Sequence, residues 1–205
     1  MERHINLLLA VLGIGYGIFA QSPSRIWDHI VSMGYDIPTN HNVMLGFNGD
    51  ALPSVTVLEN TASYQSPLAV SDPVTGALKF IMARNALFDA TGNETPNSGL
   101  WASAANGHGY VTVIPHPGAR DRYYLITRVC GIPCGEYRWT LYDGTLNGGL
   151  GDVDPELVDQ PWFTGGIGDL HGMISSADGN TYWFITHEPG NADWTLHPIT
   201  AAEGI

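Results

Sequence analysis

Carboxylates are the largest reservoir of reactive side chains in this sequence, 20 Asp and Glu against 8 Lys and Arg and 8 His. The densest run is Asp152-Val153-Asp154 with Glu156 and Asp159. Hard oxygen ligands close together suit calcium, so these four acids form the candidate metal site and calcium is the cation they would take. The run lacks the Asp-x-Asp-x-Asp-Gly order of a dedicated calcium loop. Asp-Gly pairs recur at Asp143-Gly144 and Asp178-Gly179. There the expected role is structural, because an Asp side chain caps its own turn through nearby backbone N–H groups.

The other constellations point to binding more than to catalysis. His108, His116, His171, His187 and His197 show no His-Glu-x-x-His spacing. His187-Glu188 follows a strand-like run, where loop side chains reach a ligand. No Gly-x-Ser-x-Gly elbow is present. The glycines from Gly148 to Gly151 lack the Lys and the strand-to-helix setting of a phosphate loop. A glycosidase needs two carboxylates at a set separation, and sequence selects no pair. Trp101 and Trp162 stand in Gly- and Pro-flanked, loop-like settings, so they join His187 and Glu188 as candidate ligand-binding residues. No residue is assigned a catalytic role. Cys130 and Cys134 enclose Gly-Ile-Pro, a tight turn that favours a structural disulfide in an oxidising compartment.

That compartment is suggested by the N-terminus. Arg3 supplies a positive n-region, and Ile5 to Ala20 is almost wholly apolar. Ala20 offers the small residue that signal peptidase needs before a cut at Gln21. The apolar run spans about 16 residues, short of the roughly 20 that cross a bilayer, so residues 1–20 read as a signal peptide and no stable membrane span is expected. The net charge is −12 and Lys79 is the only lysine. Such a surface repels phosphate backbones and anionic membranes, which argues against nucleic-acid partners.

The elements that must position these residues are short strands. Residues 21–41 read as a lead-in, with a short helix over Arg25 to Met33, capped by Ser24 and stopped by Gly34. From residue 42 to 205, strand-turn-strand units recur. Val70-Ser71, a turn through Gly76 and Leu78 to Met82 make one; Val111 to Ile114, a turn at Pro117-Gly118 and Tyr123 to Thr127 make the next. A third runs from Leu170 through Asp178-Gly179 to Thr186. Aligning the returning strands puts Phe80, Leu125 and Phe184 in register at intervals of 45 and 59 residues. Periods of about 40 to 50 residues indicate propeller blades. The fold class is therefore all-β, with about three β-propeller-like blades of antiparallel strands. Closed propellers have four or more, so the sequence reads as an incomplete propeller, the front part of a longer protein. A β-sandwich is the alternative.

Four segments carry a family resemblance: Val70-Ser71-Asp72 through Gly76-Ala77-Leu78-Lys79-Phe80; Val113-Ile114-Pro115-His116-Pro117-Gly118 with Tyr123 to Thr127; Leu146-Asn147-Gly148-Gly149-Leu150-Gly151-Asp152-Val153; and Tyr182 to Glu188. In order and spacing they resemble the N-terminal, WD40-like β-propeller region of large secreted surface proteins of gliding bacteria. Those proteins use type IX secretion and often carry PKD-type domains. The resemblance implies a secreted or cell-surface binding or adhesion module for an extracellular protein or glycan, with no catalytic residues to carry over. A glycan-active hydrolase or lyase on the same scaffold is the alternative function.

Overall fold

The computed structural model describes residues 28–31, 42–46, 54–58, 68–72, 75–83, 86–104, 111–130, 134–164, 171–187, 190 and 192–205. Residues 1–20, which read as a signal peptide, and Glu188 lie outside them, as do the side chains of Cys130 and Cys134. Strands dominate, as the aromatic and β-branched runs between Gly- and Pro-rich turns require. The first sheet holds β1 (Asp28–Val31), β2 (Asn42–Gly46) and β3 (Ser54–Leu58); the second holds β4 (Leu68–Ser71), β5 (Leu78–Ala83) and β6 (Ala86–Asp89). The third contains β7 (Val111–Pro115), β8 (Arg122–Cys130), β9 (Cys134–Asp143) and β10 (Asp152–Val153), with β11 (Gln160–Thr164) also paired to β9. The fourth is β12 (His171–Ser175), β13 (Thr181–His187) and β14 (Trp194–Thr200).

Each three-stranded sheet is an antiparallel meander, and so is the run from β7 to β10. The architecture is all-β and either propeller-like or sandwich-like, with no closed barrel among the described residues. The first strands of adjacent meanders are neighbours, β1 beside β4 and β7 beside β12.

The third sheet is the centre of the molecule. Along β8, alternate side chains point to opposite faces. Tyr123 and Leu125 join Phe80, Met82 and Leu87 of the second sheet in one core cluster. Tyr124 and Ile126 join Phe184 and Ile199 of the fourth sheet in another. Burial on both faces explains why Tyr123 to Ile126 is a continuous apolar run. The aligned residues Phe80, Leu125 and Phe184 are all fully buried, as their register suggests. Each such side chain contributes about 1.5–3 kcal/mol on leaving water.

One expectation is corrected. Asp28–Val31 is a strand, not part of a helix over residues 25–33. Ile30 and Val31 are β-branched, and pairing with β2 from Asp28↔Gly46 to Val31↔Val43 overrides the local apolar spacing. The proposed cap and stop, Ser24 and Gly34, lie outside the described residues. Strand β1 shares its sheet with β2 and β3, so these three strands form a further meander.

Candidate functional site

Three turns join the first and second strands of the second, third and fourth sheets, and they share one hydrogen-bond plan. The residue that opens each turn donates its N–H across the hairpin: Asp72 to the Ala77 carbonyl, His116 to Arg122 and Ser176 to Thr181. Its own carbonyl then accepts from Gly76, Ala119 and Gly179 respectively. Its side chain also tightens the loop. Asp72 Oδ1 accepts from Thr75 N–H at 2.8 Å, His116 Nδ1 from Gly118 N–H at 3.1 Å and Ser176 Oγ from Thr181 N–H at 3.0 Å. Polar turn-openers satisfy backbone donors that the strands cannot reach.

The first two of these turns converge on a cleft of about 420 Å3. Asp72, His116, Arg120, Asp121, Arg122 and Tyr123 line it, with the Pro115–Ala119 backbone as one wall. Lys79 Nζ stands 2.7 Å from Asp121 Oδ1 and 3.7 Å from Asp72 Oδ2. Arg120 reaches Asp72 Oδ2 at 3.6 Å, and Arg122 reaches Asp143 Oδ2 at 2.7 Å. Asp121 adopts φ 62°, a left-handed conformation that Asp tolerates better than most residues, and its carbonyl accepts from Gly144 N–H at 2.7 Å.

These charges are arranged unequally. Asp72 is buried, whereas the Arg120 side chain is 71% exposed. An ion pair so exposed is worth about 0–1 kcal/mol, so the fold gains little from Arg120 and its guanidinium remains available to a ligand. Burial, and then Arg122, lowers the His116 pKa, which favours the neutral ring that accepts from Gly118. The ring stacks on Tyr124 with centroids 5.0 Å apart. Burial, followed by the Asp121 and Asp72 carboxylates, pushes the Tyr123 hydroxyl up to about 12, so it stays protonated at neutral pH. Burial opposes ionisation of Asp143, but hydrogen bonds from Thr145 and the Arg122 charge outweigh it and lower its pKa. The cleft thus offers a cationic fork, one buried and one partly exposed carboxylate and a Pro-aromatic wall, a set suited to a polar ligand.

The residues singled out from sequence are placed elsewhere. Trp101 is 0% exposed and packs with Phe80, Leu125 and Tyr142 in the core. Helix α1 (Ser98–Ala104) carries it inward, anchored by Ser98 Oγ accepting from Leu87 N–H at 2.9 Å. Trp162 is half-buried against Phe163 and Phe184. His187 lies 4.7 Å from the exposed Trp194 ring, on the outer face of the fourth sheet.

The acidic run is dispersed by its own partners. Buried Asp152 accepts from Asn97 N–H, Asp154 accepts from Glu156 N–H at 3.0 Å, and Asp159 pairs with Arg138 at 2.7 Å. No group of three or more His, Cys, Asp or Glu is placed to hold a metal among the described residues, which include Asp152, Asp154, Glu156 and Asp159. The backbone register sets Cys130 opposite Cys134. Sequence reading missed the cleft because it forms between turns more than 40 residues apart, although Asp72 and His116 did fall in the resembling segments.

No family model matches the chain, and neither curated proteins nor solved structures yield a match.

Proposed function

We propose that the protein is an exported, cell-surface β-propeller-type module that binds an extracellular protein or glycan and performs no chemistry on it. The observation that carries this reading is the gathering of Lys79, Arg120 and Arg122, three of the 8 bases of an acidic chain, around one turn-built cleft. Turns borne on a stacked-sheet scaffold are where ligands are commonly read. The family resemblance and the signal-like N-terminus support the address. Facing positions for Cys130 and Cys134 support a cross-strand disulfide in that setting.

A glycan array and an extracellular-matrix protein panel test the reading. Arg120→Ala should weaken the selected ligand about tenfold without changing the thermal midpoint, and His116→Ala should weaken it similarly while lowering the midpoint, because the ring also holds the turn and stacks on Tyr124. Unchanged binding in both variants would overturn it. One observation favours a glycan hydrolase: Asp72 and Asp121 both approach Lys79 Nζ, which brings two carboxylates together beside the cleft. Release of reducing sugar that disappears in Asp121→Asn would establish that alternative.

A further inference from the structure

The cleft between the first two of these turns is balanced in charge, although the chain carries a net charge of −12. Each of its three cations has a carboxylate partner. Lys79 reaches Asp121 at 2.7 Å, Arg120 reaches Asp72 at 3.6 Å and Arg122 reaches Asp143 at 2.7 Å. Three positive charges and three negative ones cancel, so the cleft has no local excess with which to overcome the repulsion that the rest of the surface exerts on an anion.

Pairing does not use these groups up. The side chains of Arg120, Arg122 and Asp121 are 71%, 43% and 35% exposed, so N–H donors and a carboxylate acceptor meet solvent in one cleft. His116 Nδ1 accepts from Gly118 N–H, which puts the proton of the neutral ring on Nε2 and adds a donor. Hydroxyl groups, which both donate and accept, satisfy such a set. A carboxylate, sulfate or phosphate only accepts, and it would meet Asp121 as a like charge.

Size and rigidity favour a glycan over a folded partner. The volume of about 420 Å3 lies within the roughly 300–1,000 Å3 of small-ligand sites, whereas a stable protein partner covers roughly 800 Å2. Pro115, Pro117 and the His116 ring, stacked on Tyr124, supply an apolar wall for the C–H face of a sugar. Asp121 is fixed from behind: Gly144 N–H donates to its carbonyl at 2.7 Å, and a Cβ on Gly144 would stand 2.9 Å from that oxygen. A site set in advance loses little freedom on binding. We propose, on the reading of this cleft as the binding site, that it takes the end of an uncharged glycan, whose hydroxyl groups donate to Asp121 and accept from Arg120 and Arg122.

Asp121→Asn tests this by the sign of its effect. Asn keeps the size of the side chain and tolerates the φ of 62°, and it removes one negative charge. Affinity for a neutral oligosaccharide selected on the glycan array should fall about three- to tenfold in Asp121→Asn and about tenfold in Arg120→Ala. The unaltered protein should bind it within about twofold at 50 and 500 mM NaCl, whereas an anion would bind more tightly to Asp121→Asn and be lost with salt. A neutral glycan bound unchanged or more tightly by Asp121→Asn would overturn the assignment. Selection of only sulfated or uronic-acid glycans, or of a matrix protein, with Arg120→Ala still weakening it, would also overturn the assignment while leaving the cleft as the binding site. Binding that Arg120→Ala and His116→Ala both leave unchanged, or no binding at all, would sink both.

Discussion

Ile114 and Ile174 hold the same place in successive sheets, two residues before the turn-opener, yet the first is 0% exposed and the second 53%. Their partners diverge in step: Tyr137 is fully buried between Phe163 and Phe184, while the corresponding Trp194 meets only His187 among the described ring contacts. The two faces share strand geometry and apolar character, so the difference comes from the neighbour and not from local sequence. Burial, and hence the energy each residue contributes, is a property of the stack.

The sharpest way to break the comparison is to truncate both residues. Ile114→Ala should cost about 2–5 kcal/mol, because it opens a cavity in a sealed core. Ile174→Ala should stay within about 0.5 kcal/mol, as exposed sites do. Urea unfolding of both variants measures this, and equal costs would mean that the fourth sheet is covered in solution.

Glycines sharpen the contrast next. Gly151 (φ 86°) and Gly179 (φ 71°) both need left-handed backbone, but a Cβ at Gly151 would collide with the Tyr142 hydroxyl while one at Gly179 would meet nothing. Gly151→Ala should cost about 3 kcal/mol, strain plus overpacking, and Gly179→Ala about 1 kcal/mol. The same unfolding curves resolve the two.

The smallest expected effect concerns pH at the seam between the sheets. Burial lowers the pKa of His197, which stacks on Phe163 at 3.7 Å. A lowered histidine binds its proton less readily in the folded state. Its contribution is complete above the unfolded value of about 6.5 and is lost as pH falls below it toward the folded pKa. The thermal midpoint should drop by a few degrees between pH 7.5 and 5.5, and His197→Gln should flatten that slope.

The central hairpins were legible because their signals are local. Alternating aromatics in Tyr137 to Tyr142, and turns at Gly76 and Gly179, announce strand and reversal without reference to distant residues. Phe80, Leu125 and Phe184 could be aligned for the same reason. The burial of Trp101 was not legible because its Gly- and Pro-flanked setting looks like loop, while the force that buries it comes from Phe80 and Tyr142 in other strands. The partners of the acidic run were equally hidden: Asn97 and Arg138, which engage Asp152 and Asp159, lie 55 and 21 residues away. Proximity in sequence brings carboxylates near one another but does not make them face one ion.

Within each three-stranded sheet, every strand pairs with its sequence neighbour. In kinetic terms, those sheets form by closing short loops, which is entropically cheap and fast, whereas bringing one finished sheet against the next is the slower event. A chain built this way can lay down its sheets one after another as it emerges from a ribosome or a pore. The core that gives it stability is assembled afterwards, by docking.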